Sequence, residues 1–332
     1  MSTKSPRSHT GILASSDPEP DAVQVRKTPE GITTITLNRP HRRNAVDGPT
    51  ARKLTAAFLD FENDETQKVC VFHGANGTFC AGADLQEVAK SDPKKQENGS
   101  STQRSNYLLP VNGRENIAPM GPSRLLIRKP VICAVAGHAV AGGLELSLLG
   151  DLRVVEEDAV FGVFCRRFGV PLIDGGTVRL QRVIGLGRAL DMILTGRAVT
   201  AQEALVMGLA NRVVPKGKAL EEATKIARQL LAFPQGCMNA DRDSCYYAAY
   251  RATSMEDALA YEFRNGVPIV ERESLQGAAR FSAGAGRHGR FDSKFMTKQA
   301  LTTPYTTGLE AVVGTVPMLG YSSSRQDVPA ET

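Results

Sequence analysis

Twice in its first half this chain runs a short apolar strand into a glycine-flanked turn and then a helix, and that repeat constrains its fold more than any other feature. Residues 69–72 (Val-Cys-Val-Phe) precede Phe79-Cys80-Ala81-Gly82-Ala83-Asp84-Leu85. Val131–Val135 precede the stretch from Gly137 to Gly142, which opens an apolar helix over residues 142–149. Continuous apolar runs of this length read as strands buried on both faces, and their alternation with helices predicts an α/β domain. Upstream, Val23–Lys27 and Ile32–Leu37 flank a Thr-Pro-Glu-Gly turn and predict a hairpin, so the fold is expected to begin near Ala22. A helix follows from Asp47, with Pro49 in its first turn and Leu54, Ala57, Phe58 and Phe61 on one stripe.

Residues 91–118 are polar, carry Pro and Gly and show no periodicity, which predicts a long exposed excursion. Beyond Gly175 strands become scarce: Thr200 and Glu203 form a capping box, and residues 220–231, 254–270 and 273–281 have helical character. The expected organisation is a disordered leader (1–21), an α/β core (22–216), a helical region (217–290) and a loosely ordered tail (291–332).

With 332 residues, 42% hydrophobic and 23% charged, the chain can bury a real core and is neither fibrous nor disordered. Its excess of 40 basic over 35 acidic residues is too small and too spread out for a nucleic-acid footprint. No apolar run approaches the roughly 20 residues of a membrane span, so no membrane partner is expected. Six cysteines without CxxC spacing or a nearby histidine pair argue against zinc and against a disulfide framework. Reduced thiols suggest an intracellular, soluble protein, cytoplasmic or mitochondrial; Lys4, Arg7 and several Ser and Thr at the start faintly echo a transit peptide.

Both glycine turns place small residues where a strand ends and a helix begins. Unpaired N–H groups there suit an anion, and small side chains let a ligand approach the main chain. If the turns face one another, the N–H groups of Ala83 and Gly142 can clasp a thioester oxygen as it gains charge in an enolate, each donor contributing about 3 kcal/mol in the transition state.

On these motifs the chain resembles the crotonase superfamily, the enoyl-CoA hydratases and isomerases, over about residues 22–290. The matching stretches are Leu37-Asn-Arg-Pro-His-Arg-Arg-Asn-Ala-Val46, the Phe79 to Leu85 segment, Lys129 through Gly137 on to Asp151, and Gly175-Gly-Thr-Val-Arg-Leu180. The resemblance implies a spiral of repeated ββα units with a C-terminal helical trimerisation region, and homotrimers or homohexamers. It also implies acyl-CoA thioester substrates, an oxyanion hole at Ala83 and Gly142, and no cofactor beyond the coenzyme A carried by the substrate. Substrate contacts fall on Arg43, Ala45, Ala81, Asp84 and Leu85, with Arg43 near the CoA phosphates or simply a solvated turn charge. A relative that kept the fold but lost activity, binding acyl-CoA or RNA, is the alternative.

Carboxylates decide which reaction such a hole serves. Family hydratases share a water between two glutamates. Glu145 matches the first, whereas Cys165 occupies the second position, and a thiol cannot take and return a water proton as a carboxylate does. Asp174, three residues before Thr177, stands where dienoyl-CoA isomerases of the family place an aspartate; it is either a proton carrier or the cap of the helix opening at Gly175 or Gly176. His138 is expected to pack or hydrogen-bond structurally. Gly284-Ala-Gly-Arg-His-Gly289 has dinucleotide-motif spacing but follows a helix, so no dinucleotide site is expected.

Overall fold

Period-two alternation inside the apolar strands builds the central sheet and both of its packed faces. In the computed structural model, which describes residues 19–90 and 117–286, β1 (Val23–Lys27) pairs antiparallel with β2 (Ile32–Leu37) and forms the outer edge. Helix α1 (Gly48–Asn63) begins at Asp47, whose side chain accepts the Thr50 N–H, and carries the chain back to β3 (Val69–Gly74), parallel to β2. After α2 (Leu85–Lys90), the next unit is β4 (Val131–Val135), β5 (His138–Val140) and α3 (Gly142–Ser147). The following unit is β6 (Leu152–Glu156), β7 (Val160–Gly162) and α4 (Gly176–Ile184).

Each of these last two units gives one strand to each of two sheets. The six-stranded sheet runs β1-β2-β3-β4-β6-β9 and the three-stranded one β5-β7-β8. Helix α5 (Leu186–Thr195), β8 (Val199–Thr200), α6 (Ala201–Met207) and β9 (Arg212–Val214) complete them. Successive units lie side by side with parallel strands, β3 on β4 on β6 and β5 on β7, which is the expected spiral of ββα repeats. A single bridge between Cys80 and Ala139 ties the first glycine turn to the smaller sheet.

Alternate residues of one strand serve opposite faces. Val69, Val71, Ile132 and Ala134 pack with Ala223, Ile226 and Ala227 of α7 (Ala219–Leu231), while Cys70, Phe72, Val131 and Cys133 face the larger core with Phe58 and Phe61 of α1. Three rings link α1, β3 and the first glycine turn. Phe72 meets Phe58 edge-on at 5.3 Å and Phe79 at 5.2 Å.

Several expectations need correction. The described chain is ordered before residue 22, because the Glu19 carboxylate pairs with Arg39. Residues 91–116 lie outside the described residues, but the exposed excursion does not extend to 118: Ala118 is buried, and it exchanges backbone hydrogen bonds with Gly121. Strands are indeed scarce beyond Gly175 among the described residues: β8 has two residues, and β9 has three that extend the main sheet beside β6. Thr200 accepts the Glu203 N–H, yet the Glu203 carboxylate binds Arg197, so the capping box is half formed. Helix α8 (Gln235–Tyr250) lacks an apolar stripe and escaped the sequence reading; it is held to α9 (Met255–Ile269) by stacked Tyr247 and Tyr261, 3.7 Å apart. Pro268 does not end the helical run, which continues through a π-helical turn, Val270–Ser274, into α10 (Leu275–Ser282). Residues 287–332, which include the whole of the expected tail, lie outside the described residues.

Truncating Phe72 to Ala removes the middle ring of the Phe58–Phe72–Phe79 chain. The expected loss is about 3–5 kcal/mol of unfolding free energy, read from the urea midpoint at unchanged slope.

Candidate active site

A buried cation sets the first glycine turn. Arg39, only 3% exposed, pairs with Glu19 at 2.5 Å, Asp47 at 2.9 Å and Asp84 at 3.3 Å, and donates to the Ala45 carbonyl at 2.6 Å. Three carboxylates around one guanidinium satisfy its planar donor fork, and they fix the loop after β2 against the turn after β3. Val46 N–H donates to the Gly82 carbonyl and Asp84 N–H to the Val46 carbonyl, so the Ala83 N–H between them has no acceptor among the described residues.

The second turn is held as tightly. Ala141 sits at φ 54°, uncommon for a residue with a Cβ, with its N–H bonded to the Gly162 carbonyl. Gly142 then starts α3 with an N–H that also lacks an acceptor among the described residues. The two turns touch: a Cβ placed on Gly82 would lie 3.1 Å from Gly142 N and 3.0 Å from the Ala141 Cβ. A Cβ on Gly142 would fall 2.6 Å from the Met120 sulfur, so a larger residue there would have to displace that side chain. Ala83 and Gly142 line one cleft together with Glu145 and Asp174.

Glu145, 2% exposed, points from α3 to the start of α4. Its Oε1 accepts the N–H groups of Asp174 (2.9 Å) and Gly176 (2.8 Å). Burial first, and the neighbouring Asp174 charge second, push its pKa up to about 8, despite those two N–H donors. Asp174 is 3% exposed, and its Oδ1 accepts from Met120 N–H at 2.9 Å and the Ser123 hydroxyl at 2.5 Å. Burial also raises its pKa, opposed by Ser123, Met120 N–H and the guanidinium groups of Arg124 and Arg179. Asp174 does not cap α4: Gly175 is the N-cap position, without a side-chain cap, and the carboxyl that takes the first N–H of the helix is Glu145.

Cys165 lies in a short 3-10 turn and lines the same cleft; burial and the Glu145 charge push its thiol up, so it is neutral near pH 7. Ala81 and Leu85 line the cleft, whereas Arg43, Ala45 and Asp84 do not. Arg43 is exposed on left-handed backbone (φ 50°), with its carbonyl accepting the Ala81 N–H, and the Asp84 carboxylate is committed to Arg39. His138, expected to pack or hydrogen-bond structurally, has an exposed side chain, while its backbone carbonyl accepts the Cys80 N–H.

Sequence reading missed Met120, Ser123 and the apolar wall of Phe164, Phe168 and Ile173. Met120 and Ser123 follow the polar stretch and carry no motif; the only signal was Gly121-Pro122, a turn pair that reverses the chain beside α1. Among the described residues no cluster of His, Cys, Asp and Glu could hold a metal ion, and no helix is long and apolar enough to cross a membrane.

Comparison with known proteins agrees with this architecture. The enoyl-CoA hydratase/isomerase family matches residues 27–281. The enoyl-CoA hydratase EchA19 of Mycobacterium tuberculosis is 36% identical over 228 residues, 66% of this chain and 78% of that protein. A probable peroxisomal enoyl-CoA hydratase of Arabidopsis thaliana is 31% identical, over 80% of this chain and 94% of its own length. A crystal structure of enoyl-CoA hydratase from Mycobacterium tuberculosis H37Rv superposes with a TM-score of 0.68 at 29% identity, covering 79% of this chain and 96% of that one. The interleaved two-sheet repeat is thus the crotonase fold. Within it, the chain belongs to the enoyl-CoA hydratase/isomerase family and is an acyl-CoA thioester enzyme.

The raised Glu145 pKa has a consequence for stability. The folded state keeps this proton to higher pH than the unfolded chain does, so stability is lost as pH rises from the ordinary carboxylate range through about 8. Glu145→Gln keeps an acceptor for both N–H groups and cannot ionise. Its melting temperature relative to the parent is therefore expected to climb steadily between pH 5 and pH 9.

Proposed function

We propose that the enzyme moves a double bond along an acyl-CoA chain, with Asp174 and Glu145 as the proton carriers and the N–H groups of Ala83 and Gly142 as the oxyanion hole. The observation that carries this reading is the pair of carboxyls lining one cleft with a thiol, not a third carboxyl, beside them. Asp174 Oδ1 is taken up by Met120 and Ser123, and no hydrogen bond from the described residues reaches Oδ2, which is left for the substrate. Asp174 takes a proton from the acyl chain. The C–H electron pair forms a new double bond, the old one shifts, and the carbonyl oxygen gains charge at the two N–H groups. Glu145, neutral below about pH 8, returns a proton at another carbon as the carbonyl re-forms. All of this chemistry uses the chain's own residues and the CoA of the substrate, with Arg43 at the turn beside Ala81 serving the CoA phosphates.

Hydration of an enoyl-CoA, with the same two carboxyls activating water, is the second reading, favoured by the names of the relatives. A panel of enoyl- and dienoyl-CoA thioesters separates the two, and migration is expected to outrun hydration of crotonyl-CoA. Glu145→Gln should abolish turnover while acyl-CoA affinity persists, and Asp174→Asn should lower kcat about tenfold or more. Vigorous crotonyl-CoA hydration by the Asp174→Asn protein would overturn the assignment.

We also propose a homotrimer or a pair of trimers. Leu186, Leu190 and Leu194 present an exposed apolar ridge on α5, and Phe263, Leu275 and Phe281 do so on α9 and α10. Light scattering at micromolar concentration should give a multiple of three chains; a monomer would count against this assembly.

A further inference from the structure

We propose that Ser123 is the positioning residue for the Asp174 carboxylate, holding one oxygen fixed so that the other is aimed at the acyl chain. This rests on the proton-carrier reading of Asp174 given above. Three contacts build the arrangement. The Ser123 hydroxyl, fully buried, donates to Asp174 Oδ1 at 2.5 Å, and the Met120 N–H donates to the same oxygen at 2.9 Å. Arg124 donates through Nε (2.9 Å) and Nη2 (2.7 Å) to the Ile173 carbonyl, pinning the peptide immediately before Asp174. From the other side, Arg179 of α4 donates to the Ser123 carbonyl and, at 3.1 Å, to the Leu125 carbonyl.

The short 3-10 turn Pro122–Arg124 and the start of α4 are therefore clamped together around one carboxylate, although they lie some fifty residues apart in the chain. The turn is sterically constrained: Gly121 sits at φ 82°, hard against the backbone of Ala51 in α1, and the Pro122 ring locks its own φ. A hydroxyl that bonds one carboxylate oxygen does two things. It fixes the rotation of the carboxylate plane, and it favours the ionised form, opposing the burial that pushes Asp174 toward neutrality. The other charged or titratable groups facing Asp174 are Glu145 on α3, Cys80 on the turn after β3, Arg124 on the 3-10 turn and Arg179 on α4. Arg124 and Arg179 donate to carbonyls, and among the described residues Ser123 is the side chain whose hydrogen bond reaches the carboxylate itself.

The test uses the full-length protein and the dienoyl-CoA thioester that it turns over best. Ser123→Ala is expected to lower kcat about tenfold with KM within twofold, and to move the acidic limb of the kcat profile upward by about one pH unit, because the carboxylate loses a stabilising donor. Ser123→Thr, which keeps the hydroxyl, should restore both readings. In the Asp174→Asn background the Ser123→Ala change should cost nothing further, since the group it positions has gone. Parental kcat and an unmoved acidic limb in Ser123→Ala, with Asp174→Asn inactive, overturn the positioning role and leave the Asp174 assignment standing. Full additivity in the double variant also overturns it. Parental activity of Asp174→Asn overturns the proton-carrier reading itself and the positioning role with it.

Discussion

Two glycine turns from successive repeats must approach until their main chains touch, and the rest of the molecule is arranged around that contact. Gly82 takes a left-handed backbone angle close against the second turn, Gly142 packs on the Met120 side chain, Ala141 accepts an unfavourable backbone angle, and the Phe58–Phe72–Phe79 chain packs behind the first turn. Neither turn could hold this position alone. One is fixed by Arg39 and its three carboxylates, the other by the strand pairing of β5 with β7 and the Gly162 carbonyl. The outcome is two N–H groups that have no acceptor among the described residues and line one cleft, the geometry on which the proposed oxyanion hole rests.

The same close packing explains the carboxyl pair. Glu145 and Asp174 are both driven toward neutrality by burial, yet their donors differ. Glu145 receives two backbone N–H groups at the start of α4, and Asp174 receives a backbone N–H, a hydroxyl and the field of two guanidinium groups. The two carboxyls therefore sit in unequal surroundings, one on backbone donors at the start of a helix and the other on a hydroxyl beside two cations. Family membership sets the class of substrate, an acyl-CoA thioester, and the double-bond migration proposed above rests on the donors around these two side chains.

Much of the fold was legible from the sequence because its signals are local. The two hairpin strands, the start of α1 at Asp47, β4 and helices α7 and α9 follow from apolar periodicity and turn residues, and the structure places them at or within a residue of their expected bounds. Strand β9 and helix α8 were not legible. The three residues of β9 gain strand geometry only by pairing with β6, and α8 owes its position to tyrosine stacking and carboxylate contacts rather than to an apolar stripe.

By itself, the sequence determined the α/β class, the resemblance to the superfamily and the two glycine turns, all of which follow from residue type and spacing. Tertiary structure alone decided which groups meet. It placed Ser123 and Met120 on Asp174, gave the cap of α4 to Glu145 rather than Asp174, and turned Asp84 away from the cleft onto Arg39. Those outcomes depend on segments some thirty to fifty residues apart competing for the same buried donors. Burial makes each polar group find a partner, and only the folded packing determines which partner is within reach.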